Sequence, residues 1–430
     1  MLTAFARAFR TPDLRSKILF TLGIIALYRV GAFVPAPGVS YGAIQECLAL
    51  VEDSSIYGLV NLFSGGALLQ LSVFALGIMP YITASIIIQL LVVVIPRLEA
   101  LKQEGQSGQA KLTQYTRYLT IVLAVLQSTG IVALGRGAPS NLFPSCPEAI
   151  IPDESIFRVL TIVMVMTAGT AMIMWFGELV TAKGVGNGMS ILIFASIVAT
   201  LPAQVLNLLQ SASTVVAVGL ALLALVVVVA VIYVEQAQRR IPVQYAKRMI
   251  GRRAYGGTST YIPLKVNQAG IIPVIFASSL LYLPSLVQQV AEPGGAIDTF
   301  VTNYLSPGNP AYVVGYFLLI LFFTYFYVAI TFNPVEVADN MKKYGGFVPG
   351  IRPGRPTAEY LDHILSRITL VGALYLGAVA VLPLLALSLT GDQQFPFGGT
   401  AVLIIVGVGL ETVKQIESQL MLRNYEGFLR

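Results

Sequence analysis

Charge is scarce in this chain. Only 11% of its 430 residues are charged, against roughly 25% in a soluble domain. Histidine occurs once, tryptophan once and cysteine twice. One histidine, His363, cannot form an H-E-x-x-H zinc site, and there is no Cys/His cluster to replace it. His363 is expected to be a solvated residue of a cytoplasmic loop. No G-x-x-x-x-G-K-[ST] sequence occurs, which excludes a P-loop nucleotide site. Gly184-Val185-Gly186-Asn187-Gly188 is glycine-rich but precedes an apolar run instead of following a strand, so it reads as a tight turn. Paired acids or an activated nucleophile at membrane depth, which an intramembrane hydrolase needs, are missing. Arg29 alone lies clearly inside an apolar run. Ion-coupled transporters usually place several ionisable groups there. No cofactor is implied, and the chain is not expected to be an enzyme.

Apolar sequence dominates instead. The chain is 56% hydrophobic, with a mean hydropathy of +0.77. It reads as an all-α polytopic membrane protein with ten transmembrane helices, at about 17–35, 57–94, 116–135, 157–178, 187–207, 213–234, 269–290, 311–332, 366–388 and 397–416. The second is too long for one crossing. No charge occurs between Asp53 and Arg97, and a helix over 57–94 would be ~57 Å long where the hydrocarbon is ~30 Å thick. Gly65-Gly66 and Pro80 mark the expected breaks, giving a short half-helix before a spanning one. Such breaks belong where the membrane interior holds protein-lined or wet space.

Lys and Arg set the orientation. Arg10, Lys17, Arg97, Lys111, Arg117, Lys183, Arg239, Arg240, Lys342 and Lys343 fall on one side, with only Arg136 and Arg158 opposite them. The positive-inside rule then puts both termini in the cytoplasm. Phe5, Phe9 and Leu14 among basic residues predict a short interfacial helix. Cys47 and Cys146 fall in outer connections, as a disulfide or as two free thiols.

A segment of the second span recurs. Gly77–Ser85 and Gly270–Ser278 both read G-I-x-P-x-I-x-A-S. Alternating topology makes the two copies antiparallel, so residues 1–210 and 211–430 form two five-helix halves related as an inverted repeat. Two cytoplasmic loops stand out. Loop 235–268 carries Arg239, Arg240, Lys247, Arg248, Arg252, Arg253 and Lys265. Its charge is either topogenic and lipid-facing or a docking surface for an acidic or RNA-containing partner. Loop 333–365 presents Arg352 between turn-forming Pro and Gly residues, as a shaped tip.

Several stretches together resemble the SecY family, the channel subunits of the bacterial Sec translocon. They are Phe63-Ser64-Gly65-Gly66-Ala67, Ala75–Ile82, Gln114-Tyr115-Thr116-Arg117-Tyr118, Gly186-Asn187-Gly188, Pro263–Asn267, Asp339-Asn340 and Phe347–Gly354. The resemblance covers essentially the whole chain. It implies a gated channel in the bacterial inner membrane that passes unfolded secretory polypeptides and releases membrane helices sideways into lipid. It places a plug at 61–72, with Asn61, Phe63, Ser64, Gly65 and Gly66. It places an aliphatic pore ring at Ile78, Ile82, Met189, Ile193, Ile275 and Ile404, with Met189 where the family usually has isoleucine. Its lateral gate lies between spans two and three and spans seven and eight. Thr83, Gln89, Gln127 and Asn267 are positioned for polar contacts across that gate. Arg240, Arg252, Arg253 and Arg352 would meet the motor ATPase SecA or the ribosome. SecE and SecG are the implied small subunits, and signal peptides, nascent polypeptides and membrane lipid the remaining partners.

An inverted repeat and a broken helix also suit a small-molecule secondary transporter. That reading needs a buried charged binding site, which the sparse charge disfavours. A lateral insertase without a continuous pore is a third reading.

Overall fold

In hydrocarbon every backbone N–H and C=O must be satisfied within its own segment, so apolar runs of this length become helices. The computed structural model describes residues 9, 11–50, 64–135, 150–152, 155–211, 214–245, 248–250, 253–255, 259–290, 295–305, 309–390 and 399–427. Each expected span falls on a helix. In chain order these are α1 (Pro12–Phe33), α3 (Met79–Val94), α5 (Gln106–Leu134), α6 (Ile156–Lys183), α7 (Gly188–Ser211) and α8 (Thr214–Gln236), followed by α9 (Ile272–Val290), α11 (Pro310–Thr331), α13 (Arg355–Thr390) and α14 (Gly399–Gly427). Shorter helices α2 (Tyr41–Leu50), α4 (Pro96–Gln103), α10 (Ala296–Tyr304) and α12 (Pro334–Lys343) connect them. Among the described residues seven helices are long and apolar enough to cross a membrane. The pair α3 and α4, bent by 100°, makes an eighth, and the apolar stretches Ala221–Gln236 and Ile272–Leu281 occupy the other two span positions.

The repeated segment is a helix start in both copies. Gly77 has φ +56° and Gly270 φ +63°. Helices α3 and α9 begin two residues later, with Pro80 and Pro273 in their first turns. A proline there lacks only an N–H that would have no partner anyway. The two helices pack against each other. One leads into the basic connection at Arg97 and the other leaves the basic loop after Lys265, so they run in opposite directions.

The expected half-helix is absent from the described part of the second span. Residues 65–78 are turns, interrupted only by a β-bridge between Ser72 and Pro35. Gly65 (φ +67°), Gly66 (φ +91°) and Leu71 (φ +42°) hold left-handed backbone, which a right-handed helix cannot include. Leu14 also departs from expectation. It is buried in α1 against Val185 and Ile416 instead of lying in an interfacial helix.

The first five spans meet the last five along two lines. On one side α9 packs against α3 and α5, and on the other α7 packs against α14 and α8. A large apolar cluster joins both groups, including Ile78, Ile82, Ile193, Val274, Ile320 and Ile404. A second cluster lies toward the end with acidic connections and includes Leu68, Leu71, Ile131, Ile162 and Met166.

The basic end carries a small sheet that the all-α reading lacked. Strand β1 (Gln238–Tyr245) pairs antiparallel with β4 (Ser259–Lys265) and with β5 (Gly346–Phe347), in the order β4-β1-β5. Between β1 and β4, β2 (Arg248–Ile250) pairs with β3 (Arg253–Tyr255). Ile241, Val243 and Leu264 pack under the sheet onto Met341, Val348 and Leu361. The two basic loops are therefore one folded body. His363 is an exposed residue of α13, not of a loop, because that helix starts at Arg355.

Candidate functional site

A cavity of about 660 Å3 opens at the basic end, between α3, α5, α6, α7 and α9. Helix α3 contributes Ile82, α7 contributes Met189 and Ile193, and α9 contributes Ile275. Four of the six ring positions thus line one space. Ile78, one turn before Ile82, and Ile404 on α14 are 2% and 0% exposed in the apolar cluster that also contains Ile82 and Ile193. Met189 leans on the α6 backbone, since a side chain at Gly177 would meet its sulfur at 2.3 Å. The thioether fills an irregular gap beside a helix without a Cβ, a task suited to an unbranched side chain. The fifth helix starts where the sequence places a turn. Gly186 takes φ +83°, and Asn187 Oδ1 accepts from the Met189 N–H at 3.1 Å.

One polar feature of the cavity escapes sequence reading. Arg117 on α5 donates from Nε and Nη2 to the two carboxylate oxygens of Glu178 on α6, both at 2.7 Å. Such a fork is the strong form of an Arg–carboxylate contact. It clips two adjacent spans together at the cavity wall. The positions are 61 residues apart, so no local pattern announces the pair.

The described residues among the expected plug positions are not part of this cavity's lining. Asn61 and Phe63 lie outside the described residues. Ser64 and Gly65 are buried and Gly66 half-buried. Tyr28 donates to the Ser64 carbonyl at 3.2 Å and sits 2.7 Å from Ser196 Oγ on α7. Arg29 Nη1 donates to the Gly65 carbonyl at 2.8 Å, with its guanidinium 5.0 Å from the Phe33 ring. Further along, Ala36 N–H bonds the Leu71 carbonyl and Val73 N–H the Val34 carbonyl.

The gate positions do not bond to one another. Thr83 donates to the Met79 carbonyl and Gln89 to Ser85, each within α3. Gln127 is buried on α5. Asn267 precedes α9 and donates to Glu235 at 2.5 Å and to the Gly270 carbonyl at 3.1 Å. It fixes the entry to α9 against the end of α8. Of these four, only Gln89 lines the cavity.

Arg240 is exposed and lies over the Tyr261 ring at 4.7 Å. Arg352 is exposed between Gly350 (φ +83°) and Gly354 (φ +102°). The sheet puts both on one body. Arg252 lies outside the described residues, as does the Arg253 side chain. The same holds for Cys146 and the side chain of Cys47.

A SecY family profile matches residues 72–413. The chain is 65% identical to the "Protein translocase subunit SecY" of Streptomyces scabiei and 61% identical to that of Mycobacterium tuberculosis, covering all of both proteins in each comparison. Its fold is similar to a solved structure described as "The structure of a protein conducting channel", with a TM-score of 0.65 at 18% identity, covering 94% of this chain and 91% of that one. It is also similar to Sec61 in the canine ribosome-channel complex, with a TM-score of 0.61 at 18% identity and coverage of 94% and 91%. The chain belongs to the SecY family and is a multi-span membrane subunit of a protein-translocating channel.

Proposed function

We propose that translocating polypeptide crosses this protein through a ring formed by Ile78, Ile82, Met189, Ile193, Ile275 and Ile404. The observation that carries the reading is the convergence of Ile82, Met189, Ile193 and Ile275 on one cavity at the basic end. An unfolded chain enters that cavity from the cytoplasm, where both termini also lie, and meets aliphatic side chains that bind no particular sequence. Closed on themselves, they limit ion passage through poor wetting. Residues 61–72 are the plug beneath. The two halves, 1–210 and 211–430, part along the line where α9 meets α3 and α5, with Thr83, Gln89, Gln127 and Asn267 near it. A signal peptide that binds the parted form better shifts the equilibrium toward it, and a membrane helix leaves the same way into lipid.

The energy comes from outside the chain. The exposed arginines of the sheet domain, Arg240 and Arg352 with Arg252 and Arg253, are docking contacts for a motor ATPase of the SecA kind or for the ribosome. The ribosome-bound Sec61 relative supports the second partner. SecE and SecG are the companion subunits, and the bacterial inner membrane is the location. Arg352→Glu is expected to slow partner-driven translocation in inverted vesicles at least fivefold, a loss of roughly 1 kcal/mol, with membrane insertion of the subunit itself unchanged. Normal rates would remove Arg352 from the docking face.

The direct test is photocrosslinking from position 82 to a stalled secretory chain, with SecE and with SecA plus ATP. A crosslink to the client's mature region that requires the energised partner is the expected result. Crosslinks confined to positions 83 and 278 would replace the pore with a lateral insertion route.

A further inference from the structure

Arg29 is a buried-region cation with no acidic partner among the described residues. A lone charge inside a membrane bundle is costly and calls for a structural reason. Its strongest contact is the hydrogen bond from Nη1 to the Gly65 carbonyl. We infer that Arg29 and Tyr28 of α1 form a latch that holds the plug turn in the closed channel, an inference that rests on the plug reading of residues 61–72.

The geometry is that of a clamp. Tyr28 is 1% exposed. Its ring stacks on Phe74 at 5.9 Å, which fixes the hydroxyl between the Ser64 carbonyl and Ser196 Oγ. Ser196 in turn donates to the Leu192 carbonyl within α7. The turn at 64–65 is thereby tied to α1 by both bonds, and Ser196 of α7 seats the Tyr28 hydroxyl that makes one of them. Gly65 sits close against both partners: a Cβ there would lie 3.0 Å from Arg29 Nη1 and 3.2 Å from Ser196 Cα, so a larger residue fits only when these neighbours give by a few tenths of an ångström. Both latch bonds go to backbone carbonyls, so they hold the turn whatever its side chains. They also break cleanly. When the turn leaves, two carbonyls and two donors are freed together, and water or a passing chain can satisfy them. The contact is strong enough to bias the closed form and weak enough to be displaced, since a hydrogen bond to a charged group contributes only modestly net of solvent.

The latch and the plug reading are separable by experiment. The assembled translocon is reconstituted in planar bilayers, with Cys47 and Cys146 replaced by serine. Arg29→Met is expected to raise client-free ion conductance at least about tenfold, Tyr28→Phe to raise it less, and Arg29→Lys to restore most of the seal. Gly65→Cys with Ser196→Cys places the two Cβ atoms about 3.3 Å apart, near the ~3.5–4.5 Å of a disulfide. Oxidising this pair should stop translocation, and in the Arg29→Met background it should abolish the leak. Gly65→Cys alone controls for strain at φ +67°. A crosslink that blocks translocation, combined with no leak in Arg29→Met and Tyr28→Phe, would overturn the latch and leave the plug standing. Normal translocation through the crosslinked protein would overturn the plug reading, and the latch with it.

Discussion

Glycine at both Ile82 and Ile275 is expected to leave the resting channel leaking small ions. Ile82 is 8% exposed, and both side chains face the cavity from opposite groups of five spans. Removing buried Ile82 loses ~1.5–3 kcal/mol of apolar burial, and removing half-buried Ile275 less. Losses of that size in the closed form shift the closed-to-open ratio at least about tenfold, at ~1.4 kcal/mol per factor of ten. A narrow apolar neck excludes ions only while it stays dry, and the double replacement widens it where α3 meets α9. Client-free conductance in planar bilayers is the measurement. Val229→Gly on the outward face of α8, 59% exposed, carries the same helix penalty per glycine and should not leak. A quiet record from the double variant would remove these residues from the ring.

Gly169→Ala tests the packing around the turn segment at residues 73–74 and should cause a large loss of stability. A Cβ at Gly169 on α6 would lie 1.9 Å from the Val73 carbonyl oxygen and 2.8 Å from its carbon. Both atoms are backbone, so no side chain can turn aside. Gly31 on α1 faces the same turn segment, with Phe74 2.1 Å from where its Cβ would be. The two glycines make the slot through which residues 73–74 pass between α1 and α6. Closing it should cost more than about 4 kcal/mol and lower the thermal midpoint in detergent by on the order of 10 °C. Gly219→Ala on α8 meets open space and should be neutral or slightly stabilising. Equal midpoints for the two variants would show that the slot is not tight.

The spans were readable in the sequence because hydrocarbon enforces one rule along the whole backbone, and ten apolar runs can obey it only as helices. The repeated G-I-x-P-x-I-x-A-S segment was visible too, and the structure gives it a cause in the left-handed glycine and first-turn proline of α3 and α9. Three features were not legible. Gly65 and Gly66 signal a break, but only the added left-handed Leu71 shows that turns follow in place of a half-helix. Strand β1 carries a period-two cue, with Ile241 and Val243 inward, yet dense basic charge hides it and its partner β5 lies about a hundred residues away. Arg117 counts as orientation charge in the sequence, and only the fold brings Glu178 to it.

The small sheet also has a mechanical meaning. Strand β4 ends at Lys265, the Val266 N–H bonds the Ala237 carbonyl, and the Val266 carbonyl lies where Gly372 of α13 leaves room for it. Asn267 ties the next turn to Glu235, and α9 begins at Ile272. The Arg352 tip is thus joined to the first turn of α9 by an unbroken run of paired strands and hydrogen bonds through β5, β1 and β4, a short path along which a load on the tip would travel. On the docking reading proposed above, a partner pressing on the sheet would reach the seam between α9 and α3 from outside the membrane.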